Sequence, residues 1–291
     1  MLPPDALADY RAPPMTPAPS LHDRVAIVTG GGFNVGRGVA EAFAAAGAHV
    51  VLAARDATRL AATAAAIAAS GGSVRWLRTD VTELAQVEAL VAFAEREFGP
   101  VDVMAAIAGG GCSYQPFDTM APDAWDATFR TNVTSAYFAA RAVMPTFRAR
   151  QRGSLIVCTG GGAFYPVLGA PMLAYACAKA ALCRFVDQLT AELYATPIRV
   201  HGLDPGLVWS PEEQARTAAE ERRTGTPHPD RAKVRSPAAA GELATWLASD
   251  ASQPLRGRCL SVYDSWWRDP AMVARVDQEL AASRIWRHEV R

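Results

Sequence analysis

From Arg24 onward, short β-branched apolar runs alternate with longer Ala-rich stretches of helical character, and this alternation restricts the fold more than any other feature. An apolar run without internal polar alternation suits a strand buried on both faces, and a helical stretch between two such runs supplies the crossover that parallel strands require. Strands are expected at Val25 to Thr29, His49 to Ala53, Val74 to Arg78, Val101 to Ile107, Ser154 to Cys158, Arg199 to Leu203 and Cys259 to Val262. Helices are expected to begin near Gly36, Thr58, Glu83, Asp123, Ala174 and Ser236. The pattern predicts an α/β chain of doubly wound design, a mainly seven-stranded parallel sheet with helices on both faces. No Gly/Ser-rich linker divides it, so residues 21–265 read as one domain.

Two flanking pieces fall outside the alternation. Residues 1–20 carry six prolines and no continuous apolar run, which predicts a flexible arm that is neither a secretion signal nor a membrane anchor. Residues 266–291 read as a helical extension: Asp269-Pro270 is a cap followed by a first-turn proline, with Met272, Val273, Val276 and Leu280 at helical spacing behind it. That helix is open to three uses, closing a pocket, docking on another subunit, or plain packing. Within the domain, the charged stretch Trp209 to Ser236 opens on Ser210-Pro211-Glu212-Glu213, an N-cap signature, and is a candidate lid.

Lys plus Arg and Asp plus Glu both total 29, so the chain has no net charge and no basic tract to bind nucleic acid. Cys112, Cys158, Cys177, Cys183 and Cys259 are scattered with no CxxC pair, which predicts reduced thiols, no metal site and a cytoplasmic protein.

The first expected strand runs into Thr29-Gly30-Gly31-Gly32-Phe33-Asn34-Val35-Gly36-Arg37-Gly38 and then into an Ala-rich helix. Glycines at such a turn admit positive φ and close backbone approach, and the helix N-terminus offers free N–H groups to a pyrophosphate. At the tip of the second strand stand Ala54, Arg55 and Asp56. A ribose diol calls for a carboxylate there and a 2′-phosphate for a cation. Arg55, with Arg37 as a second cation, therefore points to NADP(H); Asp56 taking the diol is the rival, and solvated surface arginines are the bland alternative. Further on, Tyr175-Ala176-Cys177-Ala178-Lys179 puts a phenol and an ammonium on one helix face, an arrangement expected to lower a phenol pKa that begins near about 10.

In this order the motifs resemble those of the short-chain dehydrogenase/reductase family, a Rossmann-type fold, over roughly residues 21–265. The glycine turn is similar to the family's TGxxxGxG fingerprint, with Asn34 in place of the middle glycine, and Asn is the next-best residue for a left-handed turn. The resemblance implies that Gly30, Gly32, Asn34, Val35, Gly36 and Arg37 form the nucleotide turn, with Arg55 in the place of an NADP-type arginine. It implies that Asp80 and Val81 meet the adenine, and that Ala108 and Gly109 let the cofactor approach where the family shows Asn-Asn-Ala-Gly. It implies that Pro205, Gly206, Val208 and Ser210 pack on the nicotinamide. Tyr175 becomes the general acid/base, Lys179 also holds the nicotinamide ribose, and Asn132 supports the proton relay. Small-molecule substrates and a homodimer or homotetramer follow from the same resemblance.

One departure stands out. The family closes its fifth strand with a catalytic serine, yet no serine lies between Ser154 and Tyr175, where the chain reads Cys158-Thr159-Gly160-Gly161-Gly162. Such a donor contributes about 2.7 to 4 kcal/mol to transition-state stabilisation. Thr159, Tyr165 or Ser113 can take its place, or the substrate needs no such donor, as with an imine or an enone. Gly161 and Gly162 leave room beside the nicotinamide, and Phe164, Tyr165, Met172 and Trp209 are expected to line an apolar pocket, with ordinary packing as the alternative. The expectation is an NADP(H)-dependent enzyme reducing a carbonyl or imine in a largely apolar, possibly cyclic molecule, or oxidising the corresponding alcohol. A non-redox dehydratase, isomerase or cyclase on the same fold, and a non-catalytic NADP(H)-binding sensor, are the alternatives.

Overall fold

The computed structural model describes residues 19–110 and 114–283. Its sheet has seven strands, all parallel: β1 (Val25–Thr29), β2 (His49–Ala54), β3 (Ser73–Arg78), β4 (Val103–Ala106), β5 (Ser154–Cys158), β6 (Arg199–Asp204) and β7 (Cys259–Ser261), in the order β3-β2-β1-β4-β5-β6-β7. The order reverses between β1 and β4. Connections leaving those two strands turn to opposite faces, and the crevice between them, at the carboxyl ends of the strands, is where ligands bind in sheets of this kind.

The helices are α1 (Asn34–Ala45), α2 (Ala57–Ala69), α3 (Leu84–Phe98), α4 (Pro122–Phe129), α5 (Ser135–Arg150), α6 (Leu173–Glu192), α7 (Pro211–Thr224), α8 (Pro237–Ala248) and α9 (Pro270–Ser283). Two buried layers flank the sheet. Val39 and Phe43 of α1 pack with Leu243 and Trp246 of α8 on one face, and Leu90 of α3, Val143 and Phe147 of α5, and Leu182 and Val186 of α6 pack on the other.

β4 is shorter than its apolar run, and local hydrogen bonding explains why. Asp102 lies before the strand and its carboxylate accepts from the Val25 amide at 3.0 Å, so a side chain supplies the bond that a ladder would. At the other end Ile107 N donates to Ala105 O, a tight turn that stops the strand. The helical segment expected to start near Asp123 is also interrupted: Arg130–Thr134 forms a π-helical turn between α4 and α5.

The extension packs on the body of the domain. Asp269 Oδ1 caps α9 through the Ala271 amide at 2.9 Å, and Val273 and Val276 join the core layer of Trp246, Trp266 and Trp267. The Leu280 side chain, most of the N-terminal arm, Cys112 and Ser113 lie outside the described residues. Among the described residues no helix is long and apolar enough to cross a membrane, and no group of His, Cys, Asp or Glu is arranged to hold a metal ion.

Candidate active site

The glycine turn after β1 has the shape the sequence calls for. A Cβ at Gly36 would lie 2.1 Å from Gly30 O, so only glycine lets α1 start this close to the strand. Asn34 adopts φ 45, the left-handed conformation expected of it, and its Nδ2 donates to Val208 O at 3.4 Å, tying the turn to the segment after β6. Its Oδ1 is buried with no partner among the described residues. An open first turn of α1 beside an unsatisfied buried polar atom fits a polar ligand at this turn.

At the tip of β2 three arginines compete for attention. Arg37 pairs with Glu41 at 2.7 Å along α1. Arg59, which the sequence reading passed over, lies over the Phe33 ring at 4.2 Å and pairs with Asp56 at 3.4 Å. Asp56 is further committed as the N-cap of α2, accepting from Arg59 N at 3.1 Å. Arg55 is exposed and makes no ion pair among the described residues; its charge is felt by Asp80, just past the neighbouring strand β3. Asp80 accepts from Thr82 N at 3.0 Å and Thr82 Oγ1 at 2.7 Å, and these bonds hold its carboxyl below the usual range. Val81 next to it is half-buried.

After β4, Ala108 N donates to Thr29 Oγ1 at 3.0 Å, stitching the two strands at the switch point. Asn132, almost fully buried in the π-helical turn, brackets the next peptide: its Oδ1 accepts from Gly110 N at 3.1 Å and its Nδ2 donates to Gly110 O at 2.9 Å. A Cβ at Gly109 would be 2.6 Å from Asn132 Oδ1 and 3.5 Å from Lys179 Nζ. Asn132 and Lys179 therefore meet at Gly109.

Tyr175 and Lys179 project from the first turns of α6. Lys179 is 2% exposed, donates to Cys158 O at 2.8 Å, and its Nζ stands 5.4 Å from the Tyr175 ring centroid. The sequence predicts a phenol lowered by that ammonium. The structure gives the opposite direction: burial first, then Cys158, Tyr114 and Asp204, push Tyr175 above its ordinary value. Tyr114 meets Tyr175 edge-on at 6.2 Å between ring centroids. Gly160, Gly161 and Gly162 all have positive φ, and a Cβ at Gly161 would lie 2.3 Å from Tyr175 Cε1. The triple glycine is thus what admits the phenol to the end of β5.

The remaining residues spread around this centre. Thr159 Oγ1 is buried and has no hydrogen-bond partner among the described residues, while its Cγ2 faces Gly202 of β6. Phe164 and Tyr165 are exposed and Met172, just before α6, is half-buried. Trp209 packs against His228 in the segment that follows β6, ring centroids 5.2 Å apart, with Arg231 over it. Ser210 caps α7: its Oγ accepts from Glu213 N at 3.1 Å and Glu213 Oε2 accepts from Ser210 N at 2.7 Å. The segment Pro205, Gly206 and Val208 leads from β6 to that cap, and Tyr263 anchors its base by accepting from Leu207 N at 2.9 Å and donating to Lys233 O at 2.6 Å. Asp204, also unanticipated, ends β6 beside Gly160. Its signal in the sequence was position, immediately before Pro205-Gly206.

The profile of the family described as short chain dehydrogenase matches residues 24–221. A 2-keto-3-deoxy-L-fuconate dehydrogenase of Xanthomonas campestris is 30% identical over 87% of this chain and 83% of its own length. A D-beta-hydroxybutyrate dehydrogenase of Cupriavidus necator is 27% identical over 84% of this chain and 98% of its own. Among solved structures, a 7α-hydroxysteroid dehydrogenase complexed with NADH and 7-oxo glycochenodeoxycholic acid superposes with a TM-score of 0.75 at 28% identity, covering 83% of this chain and 93% of that one.

Proposed function

We propose, from the premise that this chain belongs to the short-chain dehydrogenase family, that it is an NADP(H)-dependent oxidoreductase reducing a carbonyl or imine in a largely apolar, cyclic small molecule, or oxidising the corresponding alcohol. The fold is that of an oxidoreductase that takes a nicotinamide cofactor and a small molecule. The observation that carries the finer reading is the convergence of Tyr175, Lys179 and Asn132 on the turn at Gly109 and Gly161, at the carboxyl ends of β4 and β5.

The bound cofactor supplies the hydride; the chain does the rest. The amides of the Gly30 to Gly36 turn and of the first turn of α1 hold the pyrophosphate, and Arg55, with Arg37 and Arg59 nearby, holds the 2′-phosphate. Support for that choice is the commitment of Asp56 to its helix cap and to Arg59, while Arg55 carries an uncommitted charge. Asp80 and Val81 flank the adenine, Ala108 and Gly109 admit the cofactor, and Pro205, Gly206, Val208 and Ser210 pack against the nicotinamide.

Tyr175 Oη holds the proton delivered to the substrate. A raised pKa keeps the phenol protonated at neutral pH, which is the form a reduction needs. Lys179 orients the ribose and, through Cys158 O, is fixed to β5. Gly161 and Gly162 leave room for a bulky substrate, with Phe164, Tyr165, Met172 and Trp209 as its apolar surroundings. Thr159 contributes a hydroxyl at the end of β5, although its Cγ2 contact with Gly202 aims that side chain toward β6.

We place the enzyme in the cytoplasm as a homodimer or homotetramer. A groove of about 610 Å³ lined by Tyr137, Met144, Pro145, Phe185 and Leu189 on the outer face of α5 and α6 offers an apolar surface for a second copy. The reading is tested by following nicotinamide absorbance with NADPH across panels of cyclic ketones and imines. Turnover by the parent chain and the loss of ketone turnover in Tyr175→Phe support it; product formed without NADPH consumption overturns it in favour of non-redox chemistry.

A further inference from the structure

The turn that lacks a serine is faced by an acid. A Cβ at Gly160 would lie 2.3 Å from Asp204 Oδ1, and one at Gly161 would lie 3.0 Å from the Tyr175 hydroxyl oxygen. Consecutive Cα atoms are about 3.8 Å apart, so the carboxylate and the phenol flank the same two residues. The charge of Asp204 is felt at Tyr175 and at Cys158.

Asp204 is held in place by neutral donors. Its Oδ1 accepts from Gly206 N at 2.9 Å and its Oδ2 from Ser261 Oγ at 2.9 Å, both uncharged donors. Among the described residues no Arg, Lys or His forms an ion pair with it. The ammonium in the same crevice, Lys179, is directed at Cys158 O. A second acid, Asp264, stands close enough for Asp204 to raise its pKa. A part-buried carboxylate with neutral partners and a like charge nearby gains most from a cation. The loops that precede α4 and α6 carry exposed aromatic side chains, Tyr114, Phe117, Phe164 and Tyr165, with the Tyr114 ring 6.2 Å from that of Tyr175, and aromatic faces attract cations with an apolar body.

We propose that Asp204 is a specificity-determining residue that selects a cationic carbon–nitrogen double bond, a cyclic iminium with an apolar ring system, over a neutral ketone. The proposal rests on the redox reading of the site given above. In the step it implies, the hydride of the nicotinamide donor adds to the iminium carbon, the C=N π pair moves onto nitrogen, and a neutral amine leaves. No proton has to reach the reacting atoms, so the missing serine donor is not needed. The carboxylate also favours the protonated form of a secondary imine, which is the electrophilic one. Because positive charge is present in the bound substrate and fades as hydride arrives, the benefit falls on KM more than on kcat.

The test uses the full chain and three ring-matched probes: N-methyl dihydroisoquinolinium as iminium, tetralone as ketone, and unreactive dimethyl tetrahydroisoquinolinium as ammonium. Calorimetry on the parent chain should show the ammonium binding at least about tenfold more tightly than its uncharged carbocyclic counterpart. Asp204→Asn should remove that preference, and with NADPH the ratio of iminium to ketone kcat/KM should fall at least about tenfold, mainly through KM. Asp204→Glu should keep much of the preference. Equal binding of ammonium and carbocycle by the parent overturns the proposal whether or not the variants fold, and so does a parallel loss of iminium and ketone activity in Asp204→Asn. Charge-selective binding that depends on Asp204, with no NADPH consumed on any probe, supports the proposal and rejects the redox reading; ketone turnover without charge selectivity does the reverse.

Discussion

Asn132 holds both ends of the Gly110 peptide, accepting from its N–H at 3.1 Å and donating to its C=O at 2.9 Å. A third bond, from Asn132 Nδ2 to Thr128 O at 2.9 Å, ties this bracket to α4. The loop after β4 is thereby fixed at the place where Lys179 reaches Gly109. Replacing Asn132 with Ala leaves buried backbone groups unpaired, at about 1 to 3 kcal/mol each, and lets the loop shift. We expect a lower melting temperature and about a 100-fold loss of kcat/KM, the cost of a misplacement of about an ångström; full activity in a thermally destabilised variant would rule out the positioning role.

Tyr175→Phe should reduce kcat on ketones by about 100- to 10,000-fold, the range of a lost acid/base, with NADPH affinity nearly preserved. The pH dependence has a definite sign. Burial raises the phenol pKa, so its protonated form persists through neutral pH. Reduction should therefore hold a plateau across neutral pH, while oxidation of the alcohol, which needs the phenolate, should climb steadily through the alkaline range. A reduction profile that falls between pH 6 and 8 would contradict the raised pKa.

Arg55→Ala should weaken NADPH by about 10- to 100-fold, the value of a charge-assisted contact, and leave NADH close to its parent affinity. Arg59→Ala should have a smaller effect on NADPH, since Arg59 is shared with Asp56 and Phe33. Fluorescence titration with both nucleotides decides it, and equal losses for the two would remove the 2′-phosphate from the account.

Gly160→Ser should fail to restore a conventional site. The residue has φ 85, which costs a side chain about 1 to 2 kcal/mol, and its Cβ would fall 2.3 Å from Asp204 Oδ1. Lower stability and lower activity are expected in thermal melts and steady-state assays; a gain in kcat/KM on ketones would show that the space belongs to a hydroxyl after all.

Asp264 has a pKa pushed up to about 6 by burial and by Asp204. Its folded value exceeds the unfolded one, so ionisation opposes folding: its unfavourable contribution is absent below the unfolded pKa and is fully felt as pH rises through about 6. Asp264→Asn, which keeps an acceptor for Ser261 N, should stabilise the protein on the order of 2 kcal/mol at pH 8 and much less at pH 4.5. Melting curves at the two pH values test this, and equal shifts at both would reject it.

The order of elements was legible because burial on two faces leaves a periodic record: β1 and β5 have the ends their apolar runs mark, and Ser210 and Ser236 cap helices where short polar side chains announce a start. The left-handed turn at Asn34 was legible for the same reason, since few residue types accept that conformation. What runs of residues cannot encode is which groups meet from distant parts of the chain. The π-helical turn that aims Asn132 at Gly110, the direction of the Tyr175 pKa, the packing of α9 onto Trp246 and Trp267, and the placement of Asp204 against Gly160 depend on desolvation and contact between segments far apart in sequence. The sequence determined the sheet, the glycine turn after β1 and the Tyr175–Lys179 face through local conformational preference. Only the tertiary structure decided the electrostatics of the crevice, because charge and burial act through space and not along the chain.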